Sequence, residues 1–313
     1  MLTGYLHPVK RIVLLGSGGQ LGWELERALA PLGLLYAFDF PQIDLMRVDS
    51  YYDLILEIKP FVIINAAAFT AVDQAESEPE TAFAINGRAP GILAELAQRL
   101  GAALVHYSTD YVFDGTKTSP YLESDLPNPL NVYGESKLLG EQSITQVNPC
   151  HLILRTSWVY STRRDSFVRK VIEMSRKQDD LHIVTDQIGS PTWARMLAET
   201  TAQVLAMSKA GSDPFDWLYE RAGLYHLAGS GFASRYEWAQ EILNLSYRWN
   251  NQREITLKSA TTDQFPSPAR RPLFSALDCQ KFENTFALLF PPWKNALKLA
   301  VGNEFSRQVE LPE

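Results

Sequence analysis

The sequence predicts an α/β fold: a Rossmann-type doubly wound parallel sheet with a smaller C-terminal α/β lobe. Three observations predict it. Short apolar runs alternate with longer amphipathic stretches through the first half, a glycine-rich loop follows the first run, and the regular alternation breaks down after Trp158. Strand–helix alternation lays parallel strands side by side and covers both faces with helices.

The elements follow in order. Arg11–Leu15 reads as a buried strand ending at Gly16, and Leu21–Leu32 has helical spacing. Leu34–Phe38 is a second strand, closed by Asp39. Phe61–Asn65, Ala103–Ser108 and Leu152–Thr156 are further strands, with helices around Thr81–Leu100 and Tyr133–Ile144 between them. Beyond Trp158 the expected elements are a strand at Leu181–Thr185, a helix at Met196–Met207, a strand at Gly223–Ala228 and a helix at Tyr236–Leu245. The proline-rich stretch Phe265–Pro272 is loop.

Composition narrows the function. The 313 residues are 46% hydrophobic and 21% charged, enough for a sizeable core. A net charge of −7 argues against nucleic acid as a partner, because a phosphate backbone needs a basic face. The two cysteines, Cys150 and Cys279, form no CxxC pair and the histidines are scattered, so neither a zinc site nor a disulfide framework is expected. A reducing, cytoplasmic setting fits. Residues 1–10 lack the apolar core of a signal peptide, and no stretch approaches the roughly 20 apolar residues that span a bilayer, so no membrane association is expected.

The loop Gly16-Ser17-Gly18-Gly19-Gln20-Leu21-Gly22 lies between the first strand and the first helix. Gly16 suits a tight turn, Gly19 a close approach to a pyrophosphate at the helix N-terminus, and Gly22 close packing of helix on strand. Asp39, at the end of the second strand, is placed to accept bonds from an adenosine ribose, which favours NADH over NADPH. Asp44 and Leu45 are candidates to flank the adenine. These readings assign residues 1–158 and about 193–228 to a dinucleotide-binding domain. About 159–192 and 229–313 are left for a substrate lobe.

Tyr133 and Lys137 stand four apart, on one face of a helix. Among 13 tyrosines, Tyr133 alone has a lysine at that spacing. A free phenol, with pKa about 10, holds its proton tightly, and a neighbouring ammonium favours the phenolate. Thr109 follows the strand Ala103–Ser108, at the strand end where open α/β sheets hold ligands, and its hydroxyl can align a substrate oxygen.

Seven segments carry a resemblance over most of the chain: Gly16–Leu25, Ile64–Pro79, His106–Gly115, Pro129–Glu141, Leu154–Tyr160, Asp186–Thr192 and Pro268–Pro272. The combination of STDYVF, NVYGESKLLGE and RTSWVY resembles the extended short-chain dehydrogenase/reductases, and more narrowly the dTDP-4-dehydrorhamnose reductase family. That resemblance implies reduction of the C4 ketone of dTDP-4-dehydro-6-deoxy-L-mannose to dTDP-L-rhamnose. Tyr133 would be the proton donor, Lys137 its modulator and Thr109 the holder of the oxygen. It implies cofactor contacts at Gly19, Gln20, Leu21, Asp39, Ala66, Ala67, Ala68, Tyr107, Tyr133 and Lys137, and NADPH as cofactor with NADH as an alternative. It implies contacts of a dTDP-sugar with Thr109, Asp110 and Trp158, and Arg271 as a cation for the nucleotide diphosphate.

The resemblance also carries departures and rivals. Some family members join two subunits through glutamates around Mg²⁺. Glu24 and Glu304 match two of those positions, but Arg195 stands at the third, so no metal is expected and a homodimer there would use Arg195–Glu pairs. Phe69 stands where the family often has Tyr or His. The rival readings are a reductase or epimerase acting on another nucleotide sugar, a sugar-nucleotide dehydratase of the same superfamily, and a non-catalytic regulatory subunit resembling the methionine adenosyltransferase partner. Dehydratases resemble this chain but carry Asp-Glu after the threonine. Here Asp110 is followed by Tyr111, which favours simple reduction.

Overall fold

The strand runs of the first half assemble into one sheet. In the computed structural model, which describes residues 10–208, 213–247 and 254–305 (303–305 as backbone only), β1 is Arg11–Leu15, β2 Leu34–Phe38 and β3 Val62–Asn65. β4 is Ala103–Thr109 and β5 His151–Thr156. Their order is β2-β1-β3-β4-β5, with Gly223–His226 beyond β5, and every pair is parallel. The chain leaves β2 and crosses over β1 to reach β3. This reversal is the switch point beside which open α/β sheets bind ligands.

Alternation along the strands divides the core in two. Ile12, Leu14, Val62, Ile64, Val105, Leu152 and Leu154 face one side, with α1 (Gln20–Leu29) and the helix Ala194–Ser208. Val13, Leu15, Ile63, Leu104 and Ile153 face the other, with the helix Ala89–Leu100. Strands buried on both faces read as continuous apolar runs, as these do. A separate core holds Tyr160, Val171, Leu181, Trp193, Trp238, Trp293 and Leu297. Around it the strand Asp180–Val184 pairs in parallel with Thr256–Ala260, outside the main sheet.

Several elements differ from the sequence expectation. The stretch expected as one helix over Thr81–Leu100 is an α-helix at Pro79–Phe83, a π-turn at Ala84–Arg88 and an α-helix at Ala89–Leu100. Pro90 supplies a reason, since it lacks an N–H and its ring would press on the Asn86 carbonyl in a tighter turn. Helices at Phe167–Lys177 and Trp293–Phe305 lie in the region read as irregular. The first carries a narrow apolar stripe, Val168, Val171 and Ile172, on an otherwise charged segment. Among the described residues no helix is long and apolar enough to cross a membrane.

Candidate active site

A cleft of about 1080 Å³ opens at the carboxyl ends of β1, β3, β4 and β5. At its β1 end the chain turns at Gly16, whose φ is +82°, and the N–H groups of Gly16 and Ser17 both donate to the Phe38 carbonyl, at 2.9 and 3.1 Å. A Cβ on Gly16 would stand 2.6 Å from the Ala67 nitrogen, so the turn after β1 and the segment after β3 approach here only because the residue is glycine. Gly19 caps α1 without a side-chain bond, and no acid sits in the first turn. The N–H groups of that turn therefore remain open to an anion.

These residues fit a dinucleotide. Asp39, Asp44, Leu45, Ala66, Ala67 and Ala68 line the same cleft as Gly16, Gly19, Gln20 and Leu21. Gly22 lies beneath them, where a Cβ would stand 2.7 Å from the Gly16 carbonyl carbon. Thr156 lines the cleft, and its buried hydroxyl has no hydrogen-bond partner among the described residues.

Tyr133 and Lys137 face the cleft from the helix Val132–Val147. Asn131 caps that helix by accepting from the Gly134 N–H at 2.8 Å. A buried ion pair fixes the helix on the sheet: Arg155 of β5 donates to both carboxylate oxygens of Glu141, at 2.9 and 2.6 Å. Burial pushes the Tyr133 phenol up, and a hydrogen bond with Thr109 pulls the other way. The phenol is thus held protonated, as a donor must be. Lys137 Nζ donates to the Tyr107 carbonyl at 2.6 Å and meets His106 Nε2 at 3.1 Å. Burial lowers Lys137 to about 8. Burial, rather than the neighbouring ammonium that the spacing suggests, is the dominant influence on the phenol, and burial also dominates at Lys137.

The predicted substrate residues divide. Thr109, Asp110 and Trp158 line the cleft, while Arg271 does not. Asp110 lies on the floor, accepting from Ser157 at 2.9 Å and Ser275 at 2.5 Å, and burial raises its carboxyl to about 6. Trp158 holds a left-handed backbone, φ +46°, stacks on Trp238, and carries the Arg235 guanidinium 3.6 Å from its ring centroid. Arg271 donates to Asp73 at 2.7 Å and to Ser267 at 2.6 Å. The Tyr107 hydroxyl points to the core, hydrogen-bonded to Thr201 at 2.6 Å, so this residue serves the site through its carbonyl.

Sequence reasoning did not single out Arg235, Arg164, Asn65 or the side chain of His106. His106 sits within a strand buried throughout, and a titratable residue in such a run is a signal that local reading can find. Arg235 opens the helix Arg235–Ser246 and Arg164 lies on the loop 161–166, both distant in sequence from the glycine loop and without a local mark. Of the three positions expected to bear on a metal, Arg195 pairs with Glu199 at 2.6 Å, with Glu24 adding to its electrostatic field. The side chain of Glu304 lies outside the described residues.

A cleft built this way places the protein among the nucleotide-binding oxidoreductases of the extended short-chain dehydrogenase/reductase type. Within them the chain belongs to the RmlD substrate binding domain family, whose model matches residues 10–305. It is 40% identical over 300 residues to a dTDP-4-dehydrorhamnose reductase of Escherichia coli K12, covering 94% of this chain and 98% of that one. A crystal structure of a dTDP-4-dehydrorhamnose reductase from Clostridium acetobutylicum superposes with a TM-score of 0.85 at 34% identity, covering 94% and 99% of the two chains. One from Bacillus anthracis, in complex with NADP, gives 0.84 at 31%, with the same coverage. A UDP-glucose 4-epimerase from Thermus thermophilus shares the fold at 17% identity and a TM-score of 0.74.

Proposed function

We propose that this chain reduces the C4 ketone of dTDP-4-dehydro-6-deoxy-L-mannose to dTDP-L-rhamnose with NADPH. The observation that carries the reading is the Tyr133 phenol, held protonated beside Thr109 within a glycine-loop cleft. Near-full-length identity to reductases of that name supports the sugar, and a relative bound to NADP supports the cofactor.

NADPH, when bound, supplies the hydride that the C4 carbon needs. The chain's own groups deal with the proton and the position. Gly16, Gly19 and the first turn of α1 hold the pyrophosphate. Thr109 donates to the C4 oxygen and keeps it in line with Tyr133. As the carbon–oxygen double bond becomes single, the Tyr133 O–H gives its proton to that oxygen and is left as phenolate. Lys137, one helical turn away, places a positive charge behind the phenolate. Asp110, Trp158 and Arg235 form the floor and wall against which the sugar ring packs. In this reading residues 1–158 and about 193–228 serve the cofactor, and the remaining lobe serves the sugar nucleotide.

The test follows NADPH and NADH oxidation at 340 nm with dTDP-4-dehydro-L-rhamnose generated in situ, for wild type and Tyr133→Phe. Wild-type turnover and a loss of about 10²- to 10⁴-fold in the variant are expected. Cofactor binding without turnover of this sugar would sink the substrate assignment.

A further inference from the structure

The glycine loop, the end of β2 and the loop 161–166 meet at one corner of the cleft. The Asp39 carboxylate lies against Gly18 there, where it can accept bonds from a ribose 2′-hydroxyl and repels a 2′-phosphate. A cofactor with that phosphate needs a compensating cation. Arg164 Nη2 lies 3.5 Å from the point where a Gly18 Cβ would stand, so Asp39 and Arg164 face the same small space. Both line the cleft. Among the described residues no ion pair engages either side chain.

The loop that presents Arg164 is fixed. The Ser161 N–H donates to Gln20 Oε1 at 2.7 Å, tying the loop to the first turn of α1. Ser166 Oγ donates to the Ser161 carbonyl at 2.6 Å and closes the loop on itself. The neighbouring cations are engaged elsewhere. Arg163 lies over the Trp23 ring at 4.0 Å, and Arg169 pairs with Glu173 at 3.2 Å. Asp165 also lines the cleft and adds a negative charge nearby, so Arg164 is needed the more if a phosphate is to settle there.

We propose that Arg164 binds the 2′-phosphate of NADPH, and that Arg164 and Asp39 together set the preference between NADPH and NADH. The inference rests on the dinucleotide reading of the cleft. It reconciles an acid at the end of β2, which favours NADH, with reduction by NADPH: the acid and the arginine serve different cofactors from one corner.

The test is direct titration of NADPH and of NADH, followed by nicotinamide fluorescence, for wild type, Arg164→Ala, Arg164→Lys and Asp39→Asn. Arg164 is exposed, so its replacement leaves the core intact. Arg164→Ala should raise the ratio Kd(NADPH)/Kd(NADH) by about ten- to hundredfold, the scale of a charge-assisted bond to phosphate. Arg164→Lys should raise it less, because a point charge replaces a fork. Asp39→Asn should lower the ratio. Equal movement of both constants in Arg164→Ala, or a ratio that moves in Arg169→Ala instead, overturns the inference while leaving the dinucleotide reading in place. Wild-type protein that binds neither cofactor overturns both.

Discussion

Replacing His106 by glutamine tests the charge on Lys137. Asn65 Oδ1 accepts from the Ala67 N–H at 3.1 Å, which turns Asn65 Nδ2 towards His106 Nδ1, also at 3.1 Å. An amide nitrogen only donates, so His106 Nδ1 accepts and the neutral ring carries its proton on Nε2. Burial, with Lys137 adding to it, holds His106 well below its ordinary value, so the ring is neutral at neutral pH. Its Nε2–H then faces Lys137 Nζ at 3.1 Å. An ammonium has no acceptor for that N–H, whereas an amine accepts it and still donates to the Tyr107 carbonyl.

Burial already lowers Lys137 from 10.5 to about 8, with Glu141 pulling upward. That displacement disfavours the ammonium by about 3 kcal/mol. In His106→Gln an amide oxygen can take the place of Nε2 and accept from the ammonium. A hydrogen bond to a charged group contributes about 1.5–3 kcal/mol, which raises the lysine by about one to two pH units. The ammonium is the working form, so wild-type kcat falls as pH rises through about 8, and the variant's fall lies at about pH 9–10. The assay is kcat at saturating substrate over about pH 6 to 10. An alkaline limb at the same pH in both proteins would refute the hydrogen-bond argument, and a wild type with no such limb would refute the part given to Lys137.

Two further outcomes follow from buried charge. The Asp110 carboxyl is raised from 3.8 to about 6, so it contributes stability that is present below pH 3.8 and lost as pH rises through 6. The amount is about 3 kcal/mol. The difference in urea midpoint between wild type and Asp110→Asn should therefore change across that window, and a constant difference would refute the burial argument. Arg155→Met should cost about 3–5 kcal/mol because it strands the Glu141 carboxylate in the core. The double variant Glu141→Leu/Arg155→Met should recover most of that loss, and a single variant as stable as wild type in chemical denaturation would contradict it.

The parts of the site legible in the sequence were those written locally. A strand, a glycine turn and a helix follow one another between Arg11 and Leu29, and each sits where its own side chains require. Tyr133 and Lys137 share a helix face by spacing alone, and Thr109 follows an apolar run whose end marks the cleft. The rest depends on contacts between distant segments. Arg235 reaches Trp158 across a gap that no periodicity bridges. The π-turn at Ala84–Arg88 was hidden because the apolar spacing continues through it, although Pro90 gave a warning. The strand pairs Val159–Tyr160 with Thr192–Trp193 and Ile188–Gly189 with Ala233–Ser234 are too short to carry a period.

Asp110 joins stretches that are far apart in the order of synthesis. Its carboxylate takes hydrogen bonds from Ser157 and Ser275, while Asn131 donates to the Arg270 carbonyl at 2.7 Å. A ribosome makes Tyr133 and Lys137 more than a hundred residues before Ser275, and Arg164 soon after them. The floor under Thr109 waits for Ser275. During translation the cofactor corner is therefore complete as sequence well before the sugar's seat exists, and a chain stalled between the two lacks the means to finish its catalytic site. Maturation of the pocket proceeds from cofactor to substrate because synthesis runs that way.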